Sequence, residues 1–141
     1  MGNKTASVRW LDGRVFETQT GSGHRGYVDS FPKEGQTSKG PTSTELVLVA
    51  VAGCTGMDIV DILRRKRLNL TGLEVRVKGT QAERYPTVYT QLDMVYVVRG
   101  KDIPASAVEQ AVKLSQEKYC CVGVMIGKTA KINSRYEIIA E

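Results

Sequence analysis

The sequence predicts an α+β fold in which strand hairpins accompany one long apolar helix. Residues 6–19 read as two short strands around Asp12-Gly13, a pair that favours a tight hairpin turn. Residues 43–68 contain a long apolar run with helical character, and residues 73–79 alternate apolar and polar side chains with the period of a strand. Because strands and helices follow one another in runs rather than in strict alternation, we expect an α+β domain.

The composition is that of a soluble globular protein. The 141 residues are 41% hydrophobic and 25% charged, with a formal net charge of +5. This length suits one domain, residues 1–141, and the mild charge does not indicate a nucleic-acid partner without a matching motif. No export signal is apparent, and the charge-free apolar stretch at residues 46–57 is too short to span a bilayer. We therefore expect a cytoplasmic protein without a membrane partner.

The central helix is predicted to run from Ser43 to Leu68. Thr42 and Glu45 have the spacing of a capping box, in which each satisfies a backbone donor of the other. The first half of the helix, LVLVAVA, is apolar on every side, which predicts burial all round. Its end, RRKR, is interpreted as a solvated C-terminus that suits the helix dipole, and not as a nucleic-acid patch.

Turn and capping signals place the other elements. GSGHRG at residues 21–26 fits G-x-G-x-x-G, but a strand-like segment follows where a dinucleotide site needs a helix, so we predict a glycine-rich turn and no cofactor. Ser106 and Glu109 form a second capping box before a helix ending near Tyr119. The remaining strands are predicted at residues 24–29, 73–79, 87–99 and 130–139, with a polar loop at 30–42 and a short helix at 120–127.

Three cysteines raise the question of chemistry. An odd number without an export signal does not indicate a disulfide framework, and a four-ligand zinc site would need His24 with all three cysteines at poor spacing, so no metal is predicted. Cys54 lies one helical turn before Asp58, whose charge opposes a thiolate. Cys120 stands where one helix ends and another begins, a place that favours thiolate character. The residues alone leave both buried and reactive thiols open.

Longer segments resemble a known family. GPTSTELVLVAVAGCTGMDIVDIL, VEQAVKLSQEKYCCV and the terminal SRYEII occur in the order and kind found in the OsmC/Ohr family, most nearly its YhfA-type branch. The resemblance covers nearly the whole chain and implies an OsmC-like fold: an antiparallel sheet with a long buried central helix, built as an intertwined homodimer. It also implies a peroxiredoxin-like enzyme, a thiol-dependent peroxidase that reduces organic hydroperoxides with electrons from an external dithiol.

The resemblance also assigns roles to residues. Cys54 matches the peroxidatic cysteine and Cys120 the resolving one, while Cys121 is either a bystander or a competing resolving thiol. Family peroxidases place a glutamate ten residues before the reactive cysteine, where this chain has Thr44; Glu45 is one residue on and faces about 100° away on a helix.

The arginine that such a glutamate positions has two candidates, Arg14 and Arg25. Asp58 is a further supporting residue. The first hypothesis is therefore a peroxidase of oxidative-stress defence that works through a Cys54 sulfenic acid. The alternatives are a non-catalytic dimer that binds a small apolar or thiol-reactive ligand at its interface, and a redox sensor.

Overall fold

A three-stranded antiparallel sheet is formed by the first strands of the chain. The computed structural model describes residues 2–141, and in it β1 (Ala6–Asp12), β2 (Val15–Thr20) and β3 (Arg25–Val28) pair in sequence order. The predicted hairpin and third strand are confirmed. Asp12 pairs with Val15, so the turn residues are Gly13 and Arg14, one position later than predicted. Gly13 has φ +53°, a conformation that glycine adopts without strain.

The G-x-G-x-x-G segment is a turn that leads into β3, as predicted. The Thr20 N–H donates to the His24 carbonyl at 3.0 Å and closes the turn. A strand follows it rather than the helix that a pyrophosphate site requires.

The central helix, α1 (Ser43–Arg65), begins at the predicted capping box. The Thr42 N–H donates to Glu45 Oε1 at 2.9 Å, and the Glu45 N–H donates to Thr42 Oγ1 at 3.1 Å. The helix ends at Arg65 rather than Leu68, and its glycines do not interrupt it.

In the single chain α1 buries one face only, so burial all round stays a prediction for a dimer. The buried residues are Val51, Thr55, Ile59, Ile62 and Leu63. On the opposite face Val49 is 63% exposed and Met57 is 71% exposed. Within residues 2–141, α1 is the one helix that is long and apolar enough to cross a membrane. This corrects the prediction, made from residues 46–57 alone, that the apolar stretch is too short to do so. Core helices of soluble proteins meet the same criterion of length and composition.

A second sheet follows α1. Its strands are β4 (Asn69–Gln81), β5 (Tyr89–Lys101) and β6 (Lys131–Ala140), in that order. β4 and β5 are antiparallel, whereas β6 runs parallel to β5, so this sheet is mixed rather than purely antiparallel. A parallel neighbour needs a long crossover connection, and the helical segment between β5 and β6 supplies it.

The crossover contains three helical pieces. α2 (Ala105–Leu114) passes into a five-residue π turn (Ser115–Tyr119), and α3 (Cys121–Gly127) follows. The predicted capping box of Ser106 and Glu109 is wrong, because α2 begins after Pro104 without a side-chain cap. The Glu109 carboxylate instead accepts a 2.5 Å hydrogen bond from the Tyr136 hydroxyl on β6.

The hydrophobic core lies in the larger of two compact units, which comprises Leu48–Glu141; the other unit ends at Val47. The core joins the buried face of α1 to β5 and α2. Its largest fully buried side chains are Tyr96, Ile59, Leu63, Leu92, Val51, Val98 and Val108. Ile132, Tyr136 and Ile138 of β6 pack against it.

Candidate thiol site

Two of the three cysteines meet one carboxylate in the larger unit. Cys54 and Asp58 lie one turn apart on α1, and Cys120 is the N-cap residue of α3. The two sulfur atoms and a carboxylate oxygen of Asp58 all lie within 4.8 Å of one another. Cys54 and Asp58 are half-buried, whereas Cys120 is only 1% exposed. Residues that are distant in the sequence therefore form one cluster.

The π turn before α3 sets the position of Cys120. The Cys120 N–H donates to the Ser115 carbonyl at 2.7 Å, which closes the wide turn. Cys120 itself is extended, with φ −80° and ψ 94°, so the chain bends there before α3 begins. π turns are rare and occur frequently at functional sites. The predicted start of the short helix at Cys120 is thus one residue early.

The first turn of α3 holds the Cys120 sulfur. The Gly123 N–H donates to Cys120 Sγ at 3.2 Å. A β-carbon at position 123 would lie 3.1 Å from the same sulfur, closer than most such contacts. The lack of a side chain at Gly123 therefore leaves room for the thiol.

A chain of buried hydroxyls ends on Asp58. The Ser115 hydroxyl donates to Asp58 Oδ2 at 2.8 Å, and Thr55 Oγ1 lies 2.8 Å from Ser115 Oγ and 3.2 Å from the Tyr96 hydroxyl. Because Ser115 has one hydroxyl proton and uses it toward the carboxylate, Thr55 donates to Ser115. The one proton of the Tyr96 hydroxyl is shared between Thr55 Oγ1 and Met94 Sδ, which lies 3.7 Å away. All three hydroxyl residues are at most 2% exposed.

Sequence reasoning missed this hydroxyl chain. Two signals were present: Thr55 is a polar residue within the apolar part of α1, and Ser115 continues the apolar stripe of α2. A polar side chain at a buried helical position normally has a hydrogen-bond partner, so these positions indicate a buried network.

Burial keeps Cys120 in its thiol form. The pKa of Cys120 is raised from 9.0 to about 12, chiefly by removal from water and in smaller part by the neighbouring Cys54 thiol and the Asp58 charge. The hydrogen bond from the Gly123 N–H acts in the opposite direction. The predicted thiolate character of Cys120 is therefore corrected: burial outweighs the helix terminus.

Two other predicted site residues, Cys121 and Glu45, lie outside the cluster of Cys54, Asp58 and Cys120. Cys121 is exposed as the first residue of α3 and is not part of the cluster. Glu45 is exposed and is bound to Thr42 in the capping box. Proximity therefore favours Cys120 over Cys121 as the partner of Cys54.

Both candidate arginines belong to the N-terminal unit. Arg14 lies in the turn between β1 and β2, and Arg25 begins β3. The backbone N–H groups of Lys39 and Ser30 lower the pKa of Asp29, and the positive charge of Arg14 adds to that effect. That Arg14 or Arg25 activates the Cys54 thiol stays a prediction.

The clustered atoms are close enough to meet at a single cation. Zinc accepts thiolate and carboxylate ligands, but a structural site takes four. His24, the fourth ligand considered from the sequence, lies in the N-terminal unit, where its Nδ1 is 3.0 Å from Ser22 Oγ. Among residues 2–141 the group comprises Cys54, Asp58 and Cys120, which is one ligand fewer than a structural zinc site has, and we interpret it as a thiol pair beside a carboxylate.

Comparison with known proteins identifies the family. Residues 35–135 match the family model described as OsmC-like protein. The chain is 35% identical over 135 residues to Protein YhfA of Escherichia coli strain K12, which covers 96% of this chain and 98% of that protein. A hypothetical protein from Aquifex aeolicus VF5 has a similar crystal structure, with a TM-score of 0.88, 29% identity and coverage of 100% and 99% of the two chains.

A more distant structure shares the fold. The organic hydroperoxide resistance protein OsmC from Legionella pneumophila superposes with a TM-score of 0.70 at 14% identity, covering 97% of this chain and 98% of that one. The family match, the identity to YhfA and the shared architecture agree. The chain belongs to the OsmC family.

Proposed function

We propose that this protein is a thiol-dependent peroxidase that reduces organic hydroperoxides through Cys54 and Cys120. The observation that carries the proposal is the approach of the two sulfur atoms to within 4.8 Å of each other. A disulfide bond requires sulfurs about 2 Å apart, so its formation requires side-chain rotation and a local shift of the chain. The Legionella relative, whose name refers to organic hydroperoxide resistance, supports the substrate class.

The reaction follows ordinary thiol chemistry. The Cys54 thiolate attacks the terminal peroxide oxygen, the O–O bond breaks, and the organic part leaves as an alcohol after taking up a proton. Cys54 becomes a sulfenic acid, and the Cys120 sulfur then displaces its hydroxyl group as water to form a disulfide. An external dithiol reduces this disulfide by exchange and restores both thiols.

Exposure distinguishes the two roles. Cys54 is half-buried and accessible, which suits the cysteine that meets the peroxide. Cys120 is 1% exposed and is held as a thiol by its raised pKa of about 12, which suits a group that reacts only with a neighbour. In this proposal the exposed Cys121 is a bystander.

The exposed face of α1 supports a homodimer as part of this proposal. Val49, Gly53 and Met57 line an open apolar groove together with Val75 of β4. An apolar surface of this kind favours a protein interface or the organic part of a substrate. Residues from the N-terminal unit of a partner, with Arg14 and Arg25 as candidates, would then supply the cation that favours the Cys54 thiolate.

A non-catalytic binding protein is the second candidate. Asp58 places a negative charge beside Cys54, and Glu45 is occupied by helix capping instead of positioning an arginine. Both features disfavour a reactive thiolate. In this alternative the apolar groove of α1 holds a small apolar or thiol-reactive ligand. A redox sensor is a further alternative, in which Cys54 and Cys120 oxidise to a disulfide without turnover.

Peroxide turnover separates these functions. Consumption of cumene hydroperoxide is measured with dithiothreitol as the reductant, for the wild type, Cys54→Ser and Cys121→Ser. A peroxidase gives saturable turnover that is lost in Cys54→Ser and kept in Cys121→Ser. Absence of turnover by the fully reduced wild type contradicts the proposal, and native mass spectrometry then tests the groove for a bound ligand.

A further inference from the structure

The resolving step needs a proton acceptor beside Cys120. Burial raises the pKa of Cys120, so the thiol and not the thiolate is the form present at pH 7. The step also releases hydroxide from the Cys54 sulfenic acid, and hydroxide is a poor leaving group unless a proton reaches it. One group that takes the proton from Cys120 and passes it to the departing oxygen solves both problems.

Asp58 is placed to be that group. One of its carboxylate oxygens lies within 4.8 Å of both sulfur atoms, a separation that one water molecule spans. The Ser115 hydroxyl donates to Oδ2 at 2.8 Å and so holds the carboxylate in place. A carboxylate has about four acceptor positions on its two oxygens, so this one hydrogen bond leaves capacity to accept a proton.

Among residues 2–141, Asp58 is the one carboxylate in the cluster with the two sulfur atoms. On α1 it is flanked by Cys54 one turn earlier and Asp61 one turn later. A small cavity of about 90 Å³ adjoins the carboxylate and is lined by Asp58, Asp61, Ile62, Arg65 and Tyr119. Asp61 is not part of the group formed by Cys54, Asp58 and Cys120. The Tyr96 hydroxyl is connected to Asp58 only through the hydroxyls of Thr55 and Ser115.

We propose that Asp58 carries the proton of the resolving step, an assignment that rests on the proposed peroxidase function. The carboxylate accepts the proton of the Cys120 thiol as that sulfur attacks Cys54. The sulfur–sulfur bond forms, the sulfur–oxygen bond of the sulfenic acid breaks, and Asp58 donates the proton to the departing hydroxide. The products are a disulfide, one water molecule and the original carboxylate.

This role explains a carboxylate beside a thiol that must ionise. Cys54 attacks the peroxide before the proton of Cys120 moves, so the peroxide step does not use Asp58 as a base. Removal of the charge is thus expected to leave sulfenic acid formation unchanged or faster, while disulfide formation becomes slower. A residue that only anchors Ser115 would not separate the two steps in this way.

The test uses Asp58→Asn with Asp61→Asn as the matched control, both in a Cys121→Ser background. Reduced protein is mixed with cumene hydroperoxide, the Cys54 sulfenic acid is trapped with dimedone at intervals, and the disulfide is quantified by mass spectrometry. At pH 7 we expect disulfide formation about 10²-fold slower in Asp58→Asn and unchanged in Asp61→Asn. In Asp58→Asn the rate should rise about tenfold per pH unit as Cys120 ionises, whereas the parent rate stays nearly flat.

The base role is also measured without peroxide. Ellman's reagent on Cys54 forms a mixed disulfide, and attack by Cys120 releases a second thionitrobenzoate that absorbs visible light. This second release should be slow in Asp58→Asn and partly restored in Asp58→Glu, which keeps a carboxylate. If the release depends on Asp58 but the parent protein forms no sulfenic acid, the peroxidase proposal fails, and what remains is that Asp58 accepts the proton of Cys120 in thiol–disulfide exchange.

Three results overturn the assignment. One is disulfide formation and second release at the parent rate in Asp58→Asn. Another is an equal loss in Asp61→Asn. The third is a slow step in Asp58→Asn with the same pH dependence as in the parent, because that pattern indicates a displaced Cys120 rather than a lost base.

Discussion

The Ser115 hydroxyl donates a 2.8 Å hydrogen bond to Asp58 Oδ2 and so joins the π turn to the central helix. The same serine anchors the turn through its carbonyl, which accepts from the Cys120 N–H. Ser115 therefore positions both the carboxylate and the buried thiol. Its own complete burial makes this connection rigid.

Replacement of Ser115 by alanine should weaken both stability and resolution. The change leaves the buried Thr55 hydroxyl without its acceptor and removes the Ser115 donor from the half-buried Asp58 carboxylate, which costs about 1–3 kcal/mol of unfolding free energy. Urea denaturation measures that loss, and disulfide formation should slow in parallel. Thr90→Val is the control, because it removes an exposed hydrogen bond and should cost less than about 0.5 kcal/mol. Equal stability of Ser115→Ala and the wild type would contradict the role of this serine.

The buried thiol of Cys120 makes stability depend on pH in the alkaline range. Its pKa is 9.0 when exposed and about 12 in the folded protein, so above pH 9 the unfolded chain loses the proton while the folded chain keeps it. Unfolding then releases a proton, and the free energy of unfolding falls by about 1.4 kcal/mol per pH unit between pH 9 and pH 12. Below pH 9 this contribution is constant.

The slope is measured by urea denaturation of the reduced protein at several pH values. Cys120→Ser cannot ionise and is the reference, since other alkaline groups titrate in both proteins. The wild type should lose stability relative to Cys120→Ser as the pH rises. Parallel curves for the two proteins would show that the Cys120 thiol is not protected by burial.

Gly123 is expected to be sensitive to a single methyl group. A β-carbon there lies 3.1 Å from Cys120 Sγ, so Gly123→Ala must displace the sulfur by a few tenths of an ångström. We expect disulfide formation several-fold slower than in the wild type after oxidation by cumene hydroperoxide, by the same reasoning that small misplacements of reacting groups reduce rates. Gly127→Ala, in the same helix, meets only Ile132 at 3.9 Å and should leave the rate unchanged. Equal rates in both variants would remove the steric argument.

Met57 tests the proposed homodimer. It is 71% exposed on the apolar face of α1 in the single chain, and a glutamate there would place a charge in the proposed interface. Met57→Glu should yield monomers in analytical ultracentrifugation. Tyr85→Glu alters a 94% exposed side chain in the β4–β5 turn and should leave the dimer intact. A monomeric wild type would contradict the proposed homodimer. A dimer that tolerates Met57→Glu would show that its interface does not include this face of α1.

Local signals in the sequence predicted most of the fold. The capping box of Thr42 and Glu45, the glycine turn after β1 and the alternation in β4 depend on neighbouring residues, and each appears in the structure. The second box, Ser106 with Glu109, failed because a long-range contact with Tyr136 competes for the glutamate. The parallel pairing of β6 is also non-local and leaves no mark in the strand itself.

The candidate site was only partly predictable for the same reason. Cys54 and Asp58 share one helix, so their proximity follows from helical spacing. The approach of Cys120 depends on the π turn, and the direction of its pKa shift depends on burial that exceeds the effect of the helix terminus. The hydroxyl chain from Tyr96 to Asp58 joins three elements and emerges only in the folded chain.

The most direct test of the central claim is the identity of the first disulfide. Reduced protein is treated with one equivalent of cumene hydroperoxide, digested, and its cysteines are mapped by peptide mass spectrometry. The account predicts a Cys54–Cys120 disulfide in the wild type and in Cys121→Ser, and over-oxidised Cys54 in Cys120→Ser. Three thiols that stay reduced, or a first disulfide through Cys121, would contradict it.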